Sequence, residues 1–298
     1  MRVEMVGIAD QLRDMIVLEG KSKEEAKKQI WYGSPSSKLE SHMDRLVDKL
    51  GLLMKRHGDK LTSAQKPFAR DDDEFHTQNQ EDKIDLLSVI KQVKPNILIG
   101  CSTVPGSFTK EILQEMASHV ARPIVFPLSN PTRLHEAQPK DINAWTDGKA
   151  LIATGSPFPP VIHKGKEYEV AECNNALVYP GIGLGCVLAR TEKLSDAMIV
   201  AAAHGLAELS PALEDPDKAL LPDMKDVRVT SVNVAMKVIQ QCVKEGLNRV
   251  KDIPREEREL RMWIEEQMWK PEYRELEKVE AADASREARG ELGIKGRA

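Results

Sequence analysis
Three short, almost unbroken apolar runs constrain this chain more than any other feature of it. Residues 96–100, 123–128 and 150–154 read Asn-Ile-Leu-Ile-Gly, Pro-Ile-Val-Phe-Pro-Leu and Ala-Leu-Ile-Ala-Thr. A strand that is apolar at consecutive positions must be covered on both faces, whereas a strand with one wet face alternates. Stretches with helical spacing stand before and between the runs, at 84–93, 108–119 and 139–145, and Pro95 stops the first of them. Strands of this kind interleaved with helices predict a parallel sheet layered between helices, an α/β fold.

The flanking segments extend this reading. Ile8, Leu12, Met15 and Ile16 share one helical face in a first helical segment at 7–31, and Gly20 interrupts it. Ser22 followed by Glu25 predicts a capping box for a second set of turns at 23–29. The stretch 32–45 opens Tyr-Gly-Ser-Pro-Ser-Ser and reads as an inserted loop. Leu46-Val47-Asp48 then reads as a short strand, continued at Leu52-Leu53-Met54, and Asp71 to Glu74 as a solvated acidic run. Past Tyr179-Pro180-Gly181 the chain becomes mostly helical, with helices expected at 182–190, 195–209, 229–244 and 254–269. The domain division expected is 1–180 for the sheet domain, 181–280 for a helical region completing it, and 281–298 for a frayed tail.

Composition removes several classes of function. A formal net charge of −4 over 298 residues gives no basic field, so binding to nucleic acid is not expected. No apolar run approaches the ~20 residues that a membrane span requires. Cys101, Cys173, Cys186 and Cys242 include no C-x-x-C pair, so they read as reduced thiols of a cytoplasmic or mitochondrial-matrix protein. The opening Met1 to Val6, interrupted by Glu4, does not read as a signal peptide. His57, His76, His119, His135, His163 and His204 show no metal-ligand spacing; none is assigned to catalysis and no metal site is assigned.

Polar knots follow the apolar runs. Cys101-Ser102-Thr103-Val104-Pro105-Gly106 follows the first, and its small residues would let backbone approach a ligand, with the next helix N-terminus favouring phosphate or carboxylate. Leu128-Ser129-Asn130-Pro131-Thr132 ends the second, where Pro131 confines Asn130 to extended backbone. Ala-Thr-Gly-Ser-Pro-Phe at 153–158 ends the third, and Cys173-Asn174-Asn175 precedes a buried-looking segment. Ligands of open α/β sheets sit outside the carboxyl ends of the strands. An amide there can hold a carboxylate without adding charge.

The order of these motifs resembles the malic enzyme family. Gly-Ile-Ala-Asp-Gln at 7–11, Lys-Gln-Ile-Trp at 28–31, Leu-Val-Asp-Lys at 46–49 and Lys-Pro-Phe-Ala at 66–69 carry the resemblance together with the knots above, over about 7–273. The resemblance implies a Rossmann-like parallel sheet lacking its first strand, with a helical C-terminal region. It implies oxidation of L-malate with NAD and decarboxylation to pyruvate, with Mg or Mn in the intact enzyme. Asn130 and Asn174 match the amides that contact substrate. Asp48 matches the acidic residue that hydrogen-bonds the adenosine ribose, and Ser102, Thr103, Gly106 and Ser129 fall among cofactor contacts on the nicotinamide side. Gln65 stands where NADP-preferring members often carry Lys; a neutral amide cannot pair with a 2′-phosphate, so NAD is implied ahead of NADP. A homo-oligomer is implied for the intact enzyme.

The departures from the family shape the expectation. The glycine-rich loop would sit just before Gly7, and Arg2 and Met5 occupy loop-glycine places. The family's tyrosine acid, lysine base and carboxylate metal ligands have no match here. The insertion at 32–45 displaces Asp48 from the ~20-residue spacing usual after a dinucleotide loop. The chain is therefore expected to be inactive alone. The alternative is a non-catalytic assembly protein whose helices at 229–244 and 254–269 form contact surfaces.

Overall fold
The computed structural model describes residues 2–31, 51–75, 84–215 and 217–273, with side chains from residue 6 onward. Asp48, the strand expected at 46–48, the insertion at 32–45 and the tail at 281–298 lie outside the described residues. The chain divides into Met1–Glu266 and a small unit Gln267–Ala298.

The apolar runs form the sheet. Strands β1 (Ile97–Gly100), β2 (Ile124–Pro127), β3 (Leu151–Thr154) and β6 (Ala171–Glu172) lie in the order β1-β2-β3-β6, all parallel. Leu98 pairs with Val125 and Val125 with Ile152, so one register aligns the strand ends. Helices α3 (Leu86–Val93), α4 (Lys110–His119) and α5 (Pro139–Trp145) cover this sheet through Ile90, Leu113, Met116 and Ile142. Local chemistry fixes their starts. Asp85 accepts from the Ser88 N–H at 2.9 Å, Thr109 caps through the Ile112 N–H, and Pro139 sits in the first turn of α5, where no N–H is needed.

Helix α1 (Arg2–Leu18) ends at Gly20, whose φ of 100° only glycine adopts readily. Helix α2 (Lys23–Lys28) begins with the expected capping box: the Glu25 N–H donates to Ser22 Oγ at 3.2 Å and the Ser22 N–H to Glu25 Oε2 at 2.9 Å. Residues 51–54 form isolated parallel bridges, Gly51 to Ile84 and Met54 to Arg70, in place of the continuous strand expected. Leu52 and Met54 nevertheless join a buried cluster with Phe75, Ile84 and Val89.

A hairpin of β4 (Val161–His163) and β5 (Lys166–Tyr168) stands apart from the main sheet, and the sequence reading missed it. Its turn, Lys164-Gly165, has φ of 51° and 78°, the left-handed pair of a type I′ turn. Asp147 holds the hairpin through His163 and Lys164, and Asp217 through Lys166.

Helices α6 (Tyr179–Ala189), α7 (Asp196–Ala207) and α8 (Val227–Lys244) follow, α6 and α7 both against α8. The first begins three residues before the position expected, with Pro180 in its opening turn. The close approach rests on missing side chains. A Cβ on Gly181 would stand 2.6 Å from Val234 Cβ, and one on Gly185 2.9 Å from Val238 Cγ1. Asn233 ties the group together, donating to the Gly205 carbonyl at 2.7 Å and accepting from Arg261 at 2.9 Å on α9 (Glu257–Gln267). Residues 230–236 of α8 are all buried, so the middle of this helix packs as core and is not open for the contact surface of the alternative reading.

Two substitutions in one helix separate packing from backbone propensity. Gly185→Leu overpacks α6 on α8 and is expected to cost about 1–3 kcal/mol. Gly183→Ala meets open space and is expected to gain about 1 kcal/mol from helix propensity. Urea denaturation of both variants measures the contrast.

Candidate functional site
Parallel pairing in one register puts all four strand ends on one edge of the sheet, and each sequence knot follows a strand end there. Ser102 to Gly106 follow β1, Ser129 and Asn130 follow β2, Gly155 and Ser156 follow β3, and Asn174 follows β6. The ends are laced together: the Leu128 N–H donates to the Gly100 carbonyl and the Cys173 N–H to the Thr154 carbonyl, both at 2.8 Å.

Glu136 organises one half of this edge, and the sequence reading did not single it out. It is fully buried (0% exposed) in the turn between β2 and α5. Its Oε1 accepts from the Ser102 N–H at 2.7 Å, the Ser102 hydroxyl at 2.9 Å and the Ser129 hydroxyl. The same two hydroxyls accept in turn: Ser129 Oγ from the Thr103 N–H at 2.8 Å, Ser102 Oγ from the Val104 N–H at 3.2 Å. Three successive amides of the β1 loop thus end, directly or through one hydroxyl, on a single carboxyl group. Thr103 takes a φ of 57° to make this possible. A Cβ on Gly100 would fall 2.6 Å from both Glu136 Cδ and Phe108 Cζ, so the close seat of the carboxyl requires glycine. These three loop amides are therefore already satisfied within the protein. The neighbouring His135 is buried (2% exposed) with its ring 5.2 Å from Phe158; burial pushes its imidazole below the ordinary histidine range, and Glu136 opposes this.

The other half carries the amides. The peptide Asn130-Pro131 is cis, and Asn130 is exposed beyond β2. The Ser156 hydroxyl donates to Asn130 Oδ1, which orients the amide and leaves its NH₂ as the remaining donor. Gly155 makes room for it, since a Cβ there would stand 2.4 Å from the Leu128 carbonyl oxygen and 3.0 Å from Asn130 Nδ2. Asn174 is held differently. Its Oδ1 accepts from the Ala176 N–H at 3.0 Å, capping a short 3₁₀ turn, and its Nδ2 donates to Glu172 at 2.8 Å. The structure brings Asn130 and Asn174 to one edge, beyond strands that are separated by β3, and joins them by no hydrogen bond.

The remaining assignments fall elsewhere. Gln65 is buried (1% exposed), and its side-chain carbonyl accepts from the Thr62 N–H and hydroxyl at 3.0 and 3.1 Å. Gly106 faces open space with a φ of 70°. Burial raises the Cys173 thiol above its ordinary range, which makes it a poor nucleophile. Among the described residues no group of three His, Cys, Asp or Glu side chains could hold a metal ion, so Mg or Mn has no fitting ligand set there. No helix among those residues is long and apolar enough to cross a membrane.

Residues 4–243 match the family described as "Malic enzyme, NAD binding domain". The NAD-dependent malic enzyme of Schizosaccharomyces pombe is 44% identical over 269 residues, which cover 90% of this chain and 45% of that protein. The mitochondrial NAD-dependent malic enzyme of Saccharomyces cerevisiae is 42% identical over 289 residues, covering 92% and 40%. The crystal structure of the Entamoeba histolytica malic enzyme superposes with a TM-score of 0.55 at 22% identity, over 83% of this chain and 44% of that one, a likeness of fold. The chain spans less than half the length of these relatives. With a family match over most of its length and relatives above 40% identity, the chain belongs to the malic enzyme family.

Proposed function
We propose that this chain is the NAD-binding portion of a malic enzyme, which oxidises L-malate and releases pyruvate and carbon dioxide. The observation that carries the reading is the convergence of Ser102, Thr103, Gly106, Ser129, Asn130 and Asn174 on the carboxyl edge of one parallel sheet. That is the edge at which α/β sheets hold ligands. The residues fit a dinucleotide there in one respect: the β1 and β2 loops are locked by Glu136 while Gly106 and Asn130 stay open to solvent. NAD would supply the hydride acceptor. Asn130, its amide oriented by Ser156, would donate to a carboxylate of malate or pyruvate. Asn174 would act from the β6 end, with β3 between it and β2, and with one N–H committed to Glu172. Asp48 remains the candidate for the ribose, NADP the alternative cofactor, and Mg or Mn the metal of the intact enzyme.

We infer that this chain alone is inactive, because the resemblance matches no residue here to the family's base or metal ligands. Purified chain with L-malate, Mn²⁺ and NAD is expected to form no NADH above blank; steady turnover contradicts the reading. Joined to the portion of the S. pombe relative outside the match, it is expected to regain turnover. Asn130→Ala in that hybrid should lower kcat/KM for malate about 10- to 100-fold, the worth of a hydrogen bond to a charged group.

A second reading, assembly, is favoured by α6. The helix has no charged residue, and Tyr179 and Val187 on its outer face are 61% and 71% exposed. A helix apolar all round is ordinarily buried. This face would be covered by a second copy, as in the homo-oligomer implied by the family. Val187→Asp should then shift the purified chain to smaller apparent size on gel filtration, and an unchanged elution volume at high concentration contradicts it. The cytoplasm or mitochondrial matrix is the compartment proposed, the S. cerevisiae relative being described as mitochondrial.

A further inference from the structure
We propose that the Glu136 carboxyl group is a built-in acceptor that fills the loop after β1 from within the protein, so that this loop is held in shape for a bound dinucleotide and takes no further anion. The proposal deepens the dinucleotide reading above and rests on it.

Successive backbone N–H groups around a left-handed residue form a concave nest that takes anions. Thr103 is such a left-handed residue, and the N–H groups of Ser102, Thr103 and Val104 are all taken within the protein. In this chain the occupant is the protein's own carboxyl group, reached 34 residues along the chain. The Ser102 N–H and hydroxyl meet it directly, and the Ser129 hydroxyl passes on the Thr103 N–H. The Ser102 hydroxyl does the same for Val104. A second anion brought to the loop would find these three donors spent and a carboxyl group beneath them. An uncharged or cationic group meets no such cost. Glu136 is thus a positioning residue: it touches no ligand itself, yet it sets the shape of the β1 loop and the charge that loop accepts. Two further residues serve the same seat, Gly100 by lacking a Cβ and Phe108 by donating its N–H to the Glu136 carbonyl at 3.1 Å.

Removing the carboxyl should turn the loop into an open anion site, a gain that loss of packing does not produce. The test uses the full chain as wild type, Glu136→Ala and Glu136→Gln, with formate as probe and chloride at equal ionic strength as control. Thermal unfolding of Glu136→Ala is expected to shift upward saturably with formate up to about 100 mM, as linkage to a folded-state site requires. Wild type and Glu136→Gln, whose nests are filled, are expected not to respond. No formate effect on Glu136→Ala, or an equal effect on wild type, overturns the proposal. Should Glu136→Ala fail to fold at any formate concentration, Glu136→Gln decides. Its Ser102 amide proton, which donates to this side chain at 2.7 Å in the wild type, is expected to resonate upfield once the acceptor is a neutral amide, and an unchanged resonance overturns the proposal. Failure of wild type to bind NADH would count against the dinucleotide reading, while the formate arm would still decide what fills the loop.

Discussion
One buried carboxyl group holds the edge of this sheet in working order. Burying Glu136 without partners would cost several kcal/mol. The fold meets that cost by drawing donors from two loops, those of β1 and β2, onto the same oxygen. The loops cannot move apart without leaving that group unsatisfied. The same demand explains Gly100, the left-handed Thr103 and the burial of Ser129, which are otherwise unrelated oddities of the backbone. A site built on loops gains precision when a rigid network beneath fixes them.

The helical layer contributes to the other half of the edge. Helix α6 starts five residues after Asn174, and its seat against α8 depends on Gly181 and Gly185. The position of the β6 end is therefore set at both sides, by pairing with β3 and by the packing of α6. Asn174 itself is tied to Glu172 and Ala176, so it enters the site as part of a capped turn and not as a loose side chain. Asn130 instead borrows its orientation from Ser156, on the neighbouring strand end.

Much of this was legible in the sequence, for a physical reason. Strands buried on both faces are apolar throughout, so β1 to β3 could be read from the sequence within a residue or two of their observed limits. Ser22 and Glu25 capped α2 as their spacing implied. The hairpin at 161–168 was not legible, because its three-residue strands carry too few alternating positions, although the Gly165 turn residue was a signal available to find it. Glu136 was not legible because a lone acidic residue in a loop has no periodicity, and its partners come from distant sequence. The nearest hint was a polar pair, His135-Glu136, set between Leu134 and Ala137. Asn130 and Asn174 could be named as residue types from their motifs, but who holds each amide depended on neighbours that only the folded edge supplies. The middle of α8 is core, and exposed apolar side chains lie on α6.

The central claim is that the carboxyl edge of this sheet is one ligand site. Titration of ¹⁵N-labelled chain with NADH, followed through backbone amide resonances, tests it most directly. The account predicts concerted, saturable shifts at 102–106, 129–130, 155–156 and 174. Shifts confined to residues away from the strand ends, with that edge unmoved, would contradict it.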